Sequence, residues 1–471
     1  MIKPLITFLN ILKWKGYYWL PGYYSWLQEN KKISRTGNIQ VMFLVVDHFE
    51  PSRKKGALGV QELREWCEKY SEIAGQYQDP DGVHPQHTWF YRYDYPNFEC
   101  IKILSEYVFK GFGEIEFHLH HGNDTAETFE KKIKAGVDWF NRCGAMITAG
   151  EMQQKFFAYI AGNWALDNGR RNPEFSGVNT ELAILNKYNC YADFTFPAFA
   201  TNAQPRQVNS IYYAQDDPEP KSYNTGVKMK VGGQKSGDLL IFEGPLYVDW
   251  NSRRIEYASF ENFTPYNRRR IDYWYNSGIH VQGKPEWVFI KLHTHGMQSR
   301  DTFLSDQLHQ LCTDLKQWST ENDIGLHYVT AREAYNIARA AEAGLSGNPA
   351  AYRDYIINKP VNRLLYCSQP MRIEKMTDRQ TIIHLENNGH TAQITELRFN
   401  QGLLAGIEGD GIKSIEYQVD GQSTLRLKID GAGQGKIRFH KDYRLKSSHT
   451  PGPINFPADE RYELVKNRQE S

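Results

Sequence analysis

The chain has 471 residues, 40% of them hydrophobic, with a formal net charge of +1 and a pI near 7.7. Such a length allows more than one domain, and the near-neutral balance offers no field for nucleic acid or strongly acidic partners. Six dispersed cysteines (Cys67, Cys100, Cys143, Cys190, Cys312 and Cys367) make no CxxC pair, which favours buried free thiols in a reducing, cytoplasmic compartment.

Residues 1–37 form an aromatic N-terminal arm. Its apolar run from Leu5 to Leu12 is broken by Thr7 and Asn10, is too short to span a bilayer and precedes no small-residue cleavage site. The arm is expected to pack over the main domain. Lys3, Lys13 and Lys15 beside Trp14, Tyr17, Tyr18, Trp19 and Trp26 also suit peripheral contact with the inner face of a membrane.

From residue 38 to 345 apolar runs alternate with amphipathic ones. VMFLVV reads as a strand buried on both faces, and Gly59 to Gln76 as a helix with Leu63, Trp66, Cys67, Tyr70 and Ile73 on one side. HTWFYRY, EIEFHLHH, KFFAYIAGNW, CYADFTFPAFA, WVFIKLHTHG and IGLHYV are further strands. Helices are expected over Asn97–Phe109, Thr125–Cys143, a segment opening near Asn179, Asp301–Ser319 and Ala331–Ala343. This order predicts an α/β fold, a distorted (β/α) barrel of seven or eight strands with its site at the carboxyl ends of the strands. An insertion at about 201–282 breaks the rhythm and is placed to shape substrate access.

Gly344 to Pro349 punctuates the chain. Beyond it, 349–442 carries short alternating strands parted by Asn388-Gly389, Asp410-Gly411 and Asp420-Gly421, which predicts a C-terminal all-β, sandwich-like module. The tail 443–471 is expected to be extended or disordered.

The stretch EIEFHLHHGND organises the chemistry. Alternation along a strand puts Glu116, His118 and His120 on one side, with His121 turning out at the end. Two other strand-like runs end in acid or histidine, VVDHFE at Asp47 and His48, and KLHTHG at His293 and His295. Three strands delivering such groups to one mouth suit a divalent metal, zinc above all.

The ordered set VVDHFEP, HLHHGND, AGNWALDN, YADFTFP and KLHTHG resembles the motif series of polysaccharide deacetylases, the NodB-homology or carbohydrate esterase family four group, over roughly residues 38 to 343. The resemblance implies Asp47 as general base, His48 in the place of a metal-ligand Asp, His118 with His120 or His121 as the histidine pair, and His293 as general acid. It departs from the family in having His at position 48, in crowding its histidines into HLHH, and in lacking the arginine that opens the fourth-strand motif. Arg92, Arg170 or Arg206 are the candidates to replace that arginine.

The chemistry expected is hydrolysis of an N-acyl group on a carbohydrate substrate. A zinc-bound water, its pKa lowered towards about 7, gives its proton to Asp47 while His293 protonates the leaving group. A backbone N–H near Asn163 or Trp164 would complete the oxyanion site, and Trp164, Asp193, Tyr212 and Tyr213 are candidates for the substrate wall. Two other readings stand beside it. A glycosidase would need two carboxylates facing one bond, drawn from Asp47, Glu50, Asp124 and Asp193; a non-catalytic barrel would only bind glycan. No GxSxG, Walker or GxGxxG signature competes.

Overall fold

The computed structural model describes residues 16–51, 57–150, 153–170, 172–252, 254–377, 380–399, 403–420, 422–442 and 463–465. Within them the chain divides into two compact units. The first holds the described parts of Met1–Pro96, Phe112–Gly136 and Phe156–Ile357; the second holds Asn97–Gly111, Val137–Lys155 and the described residues from Asn358 onward.

Strands β1 (Ile39–Phe49), β2 (His87–Arg92), β3 (Gly113–Leu119), β4 (Phe157–Ala161), β5 (Cys190–Asp193), β6 (Ser210–Ala214), β7 (Val227–Lys228) and β8 (Leu239–Glu243) are followed by a hairpin of β9 (Tyr247–Asp249) and β10 (Arg254–Glu256). After it come β11 (Trp287–Thr294) and β12 (Ile324–Tyr328). The α-helices are α1 (Leu20–Asn30), α2 (Ala57–Ala74), α3 (Phe98–Phe109), α4 (Ala126–Arg142), α5 (Glu181–Lys187), α6 (Arg269–Asn276), α7 (Arg300–Phe303), α8 (Asp306–Glu321) and α9 (Ala331–Glu342).

The first unit is built on a ten-stranded sheet in the order β11-β1-β2-β3-β4-β5-β8-β6-β7, with β12 also paired to β1. All its pairings are parallel except those of β6 with β8 and β7. The expected distorted (β/α) barrel of seven or eight strands is seen as a large, mostly parallel sheet, and no closed barrel is found among the described residues. β6 and β7, from the stretch expected to be an insertion, extend the sheet beyond β8. Among the described residues no ladder joins β11 to that edge. Instead the segment after α6 reaches each side, with Phe289 N–H bonded to the Ile279 carbonyl, Gln282 N–H to that of Met229 and Val231 N–H to that of Gln282.

Parity within β1 decides what faces what. Met42, Leu44 and Val46 enter a core with Phe90, Ile160, Phe194, Phe242 and Phe289. His48 and, one residue past the strand, Glu50 continue that alternation; Asp47 belongs to the other face. In this interior Lys291 of β11 is buried and donates to the Phe194 and Phe242 carbonyls at 3.2 and 2.7 Å and to that of Phe196. Burial pulls its pKa down, against the attraction of Asp193 and Glu243.

Helix boundaries follow local chemistry. The Asn97 side chain accepts the Glu99 N–H before α3, and Thr330 and Glu333 form a capping box at α9. The expected helix from Asp301 to Ser319 is two helices, because Ser305 caps the second by accepting the Gln307 N–H. In the arm, Trp19, Tyr23 and Trp26 are buried against Val208, Leu246 and Val248, and the two indoles donate to the Phe199 and Ser277 carbonyls. Lys3, Lys13, Trp14 and Lys15 lie outside the described residues. No helix among the described residues is long and apolar enough to cross a membrane.

The second unit contains α3 and two further sheets. Strands β13 (Leu365–Cys367), β14 (Met371–Met376), β15 (Gln380–Glu386), β16 (Gln393–Phe399), β17 (Leu403–Asp410), β18 (Ser414–Asp420), β19 (Gln422–Ile429), β20 (Gln434–Asp442) and β21 (Glu463–Val465) pair in the orders β13-β16-β19-β18-β21 and β14-β15-β20-β17. All pairings are antiparallel except β18 with β21. Ile383, Leu385, Leu397, Leu425, Leu427 and Ile437 share one apolar core. Within the tail expected to be extended or disordered, Glu463–Val465 is the strand β21; the rest of that stretch lies outside the described residues.

Candidate metal centre

The carboxyl ends of the parallel strands converge on three side chains. Glu50 follows β1, His118 lies in β3 and His120 follows it, and their ligand atoms all lie within 4.8 Å of one another. Each is held from behind. The His118 Nδ1–H donates to the Ile160 carbonyl at 2.9 Å, which fixes the proton on Nδ1 and turns the Nε2 lone pair inward. That Nε2 has no hydrogen-bond partner and lies 3.6 Å from Glu50 Oε1. His120 Nδ1 donates to Asp94 at 3.2 Å while its Nε2 lies 3.3 Å from the same Glu50 oxygen. The other oxygen, Oε2, accepts from Arg92 at 3.1 Å and Gln298 at 3.0 Å. Arg92 also pairs with Asp94, so one guanidinium steadies two carboxylates.

Electrostatics follow from this packing. Burial disfavours the Glu50 charge, yet the two imidazoles of His118 and His120 beside it hold it well below the usual carboxylate range. Burial lowers the pKa of His118, keeping it neutral as a ligand must be. For His120 burial is outweighed by Asp94 and Glu50, which raise it. Gly162, just after β4, allows His120 its position, since a Cβ there would stand 2.6 Å from His120 Cα.

A second group of rings stands beside the trio. His48 lies 5.1 Å from His118, ring to ring, stacks on His295 at 4.6 Å and approaches Trp164 at 5.7 Å. Its Nε2 is buried without a hydrogen-bond partner. His295 Nδ1 is tied to buried Glu261 at 2.6 Å, which, against the opposing effect of burial, raises the imidazole pKa. A cavity of about 700 Å³ lined by Glu50, Glu62, Met297, Gln298 and Arg300 opens here.

No family model matches this chain, and no curated protein matches it. A solved structure from Parabacteroides distasonis, provisionally named a glycoside hydrolase/deacetylase, is similar with a TM-score of 0.35 at 12% identity. The likeness covers 78% of this chain and 82% of that one.

The remaining expected residues are placed as follows. Asp47 is fully buried with both oxygens engaged, Oδ2 by His87 Nε2 and Oδ1 by the Gly296 N–H, each at 2.8 Å. It lacks the open oxygen that a base needs, and its partner is His87 rather than Arg92, Arg170 or Arg206. His293 is buried, and desolvation pushes it down to about 3 against the pull of Glu261, so it is not the protonated donor expected. His121 turns away from the trio to Asp124 and Glu181, at 3.3 and 3.4 Å. Burial opposes its charge, but those acids push it up to about 9. Of the four expected ligands, His118 and His120 come together with Glu50, His48 stands beside them and His121 turns away.

Trp164 stands in the site beside His48 and His295. Asn163 and Trp164 both take positive φ, 57° and 55°, in the turn after β4. Asp193 is buried and bound by the Thr195 N–H and hydroxyl at 3.0 and 2.6 Å. Tyr212 is buried with its hydroxyl donated to the Tyr223 carbonyl at 2.6 Å, and Tyr213 is buried with its hydroxyl on Glu342. Neither tyrosine has a face to offer a substrate. Sequence reasoning missed Asp94, Glu261 and Gln298, and it named Glu50 only as a glycosidase carboxylate. For Glu50 a signal existed, because parity in VVDHFE puts residues 48 and 50 on one face and 47 on the other.

Proposed function

We propose that this protein is a metal-dependent hydrolase that removes an acyl group, acetyl in the simplest case, from an N-acylated sugar. The observation that carries the reading is the trio of Glu50, His118 and His120, whose donor atoms face one another while each side chain is oriented from behind. Second-partner hydrogen bonds of this kind set ligand direction and tautomer in metal sites. Two imidazoles and one carboxylate suit zinc with a position left open, and the bound ion would supply Lewis acidity and a water acidic near about pH 7.

The chain's own residues divide the remaining work. His295, whose pKa Glu261 raises, donates to the leaving nitrogen in the role first given to His293. His48 offers an uncommitted ring nitrogen as proton acceptor. Trp164 presents an aromatic face beside them, suited to a sugar ring. Asp47 acts at one remove, because its hydrogen bond to Gly296 holds the turn that carries His295 and Gln298. A glycosidase pair is not favoured, since Asp47, Asp124 and Asp193 are each committed to other groups.

The test is metal content together with acyl release. Purified protein should hold about one zinc per chain and release acetate from acetylated chito-oligosaccharides, with activity lost to chelator and restored by zinc. Glycan binding without any acyl release by the zinc-loaded protein would replace the enzyme with a binding protein.

A further inference from the structure

Within the first unit lies a second cavity, of about 650 Å³, walled by β10, the segment after it and the start of α6. Its lining is basic in a chain whose net charge is only +1. Arg254, Arg268 and Arg269 line it, and the one acid there, Glu256, is already matched: Arg270 holds it through Nε at 2.8 Å and Nη2 at 2.7 Å, with Trp274 Nε1 at 2.8 Å. The other Arg270 bonds go to the carbonyls of Ser259, Thr264 and Pro265. Arg268 pairs with Glu321 at 2.9 Å, whereas Arg254 and Arg269 form no ion pair with another described residue. Among the described residues, two guanidinium groups of the lining thus have no acid partner.

Aromatic rings share the same cavity. Phe263 is 74% exposed, and Tyr273 is stacked on Tyr247 with ring centroids 5.2 Å apart. Tyr257 lines the cavity and lies 5.7 Å, ring to ring, from His293. Thr264, also in the lining, exchanges hydrogen bonds with the backbone of Glu261, the residue that holds His295. One short segment, 257–265, thus borders both the metal centre and this cavity.

We propose that the cavity binds an oxyanion carried on a sugar ring, a carboxylate or a phosphate ester, in the glycan whose acyl group the metal centre removes. Guanidinium forks match both anions through paired N–H donors, and the neighbouring rings suit a pyranose face. That the anion belongs to the substrate of the metal centre rests on the function proposed above; the binding of the anion does not.

The experiment is calorimetric titration of the full-length, zinc-loaded protein with tetragalacturonate, mannose 6-phosphate and neutral cellotetraose, none of which carries an acyl group for the metal centre to remove. At least one anionic sugar should bind more tightly than the neutral one, and which one does so separates carboxylate from phosphate. Arg254→Gln with Arg269→Gln should weaken that binding about tenfold or more, while Lys at both positions keeps charge without the fork and restores part of it. Unchanged zinc content and Tm certify that the variants are folded. The proposal is overturned if neither anion binds more tightly than the neutral sugar, or if the double Gln variant binds the anion as well as the parent does. Heat of binding does not depend on turnover. Loss of this site therefore leaves the metal centre standing, and a protein that binds the anion but releases no acyl group defeats only the enzymatic reading.

Discussion

Two acid–histidine clusters of nearly the same composition sit at opposite ends of β1, and they differ in what completes them. At the amino end, Asp79, Asp81 and His327 also bring their atoms within 4.8 Å. There the cation is built in. Arg353 reaches Asp79 at 3.3 Å and Asp81 at 3.5 Å, and both His327 nitrogens are used, by Asp81 at 2.6 Å and Gln40 at 2.7 Å. Backbone N–H groups of Asp81, Val83 and Tyr328 complete Asp79. At the carboxyl end, His118 keeps a buried nitrogen with no hydrogen-bond partner. Buried polar groups are paired almost without exception, so a cluster that closes on itself is structural and one that does not points to a ligand.

The largest effect that tests this contrast is a crossed one. Glu50→Ala should abolish stoichiometric zinc by elemental analysis, and should also lower the Tm of the metal-free protein because Arg92 and Gln298 lose their acceptor. Asp79→Ala should keep the zinc but cost about 1–3 kcal/mol in denaturant unfolding, because the Val83 and Tyr328 N–H groups lose their acceptor. Zinc lost in both variants would erase the distinction. Next in size, His295→Ala should slow amide hydrolysis roughly 10²- to 10⁴-fold, and slow an activated aryl acetate far less, since its phenolate leaves without a proton. Equal losses on both substrates would make His295 a binding residue.

Smaller changes sharpen the picture. Asp94→Asn should weaken zinc affinity about 10- to 100-fold, read by competition with a chelating dye, because His120 loses the carboxylate behind it. The least effect is expected for Glu261→Gln. The carboxylate raises the His295 pKa, so removing its charge lets the imidazole lose its proton at lower pH. The alkaline limb of kcat/KM should then move to lower pH, and a limb that stays in place would take His295 out of the profile.

What could be read from the sequence was governed by periodicity. VMFLVV announces a strand buried on both faces, and HLHH separates His118 and His120 from His121 by alternation alone. The resemblance pointed to Asp47 because it matches a motif by position, whereas the strand runs on to Phe49 and its parity assigns the interior to His48 and Glu50. Choosing His295 over His293 depends on burial and on Glu261, a residue outside every strand run, which no local pattern carries. The ten-stranded sheet was hidden for a similar reason. β6 is five residues and β7 two, too short for periodicity to mark, and their places are set by pairing with distant β8.

Lys291 makes the interior sensitive to distant changes. Its ammonium finds carbonyl partners 97, 95 and 49 residues away in sequence, on segments that follow β5 or belong to β8. Unless all three are in place, a buried charge is left with only part of its compensation. The lysine thus ties β11 to the β5 and β8 side of the sheet, and a substitution that shifts any one of these segments is felt as an unpaired ammonium in the floor beneath the histidines.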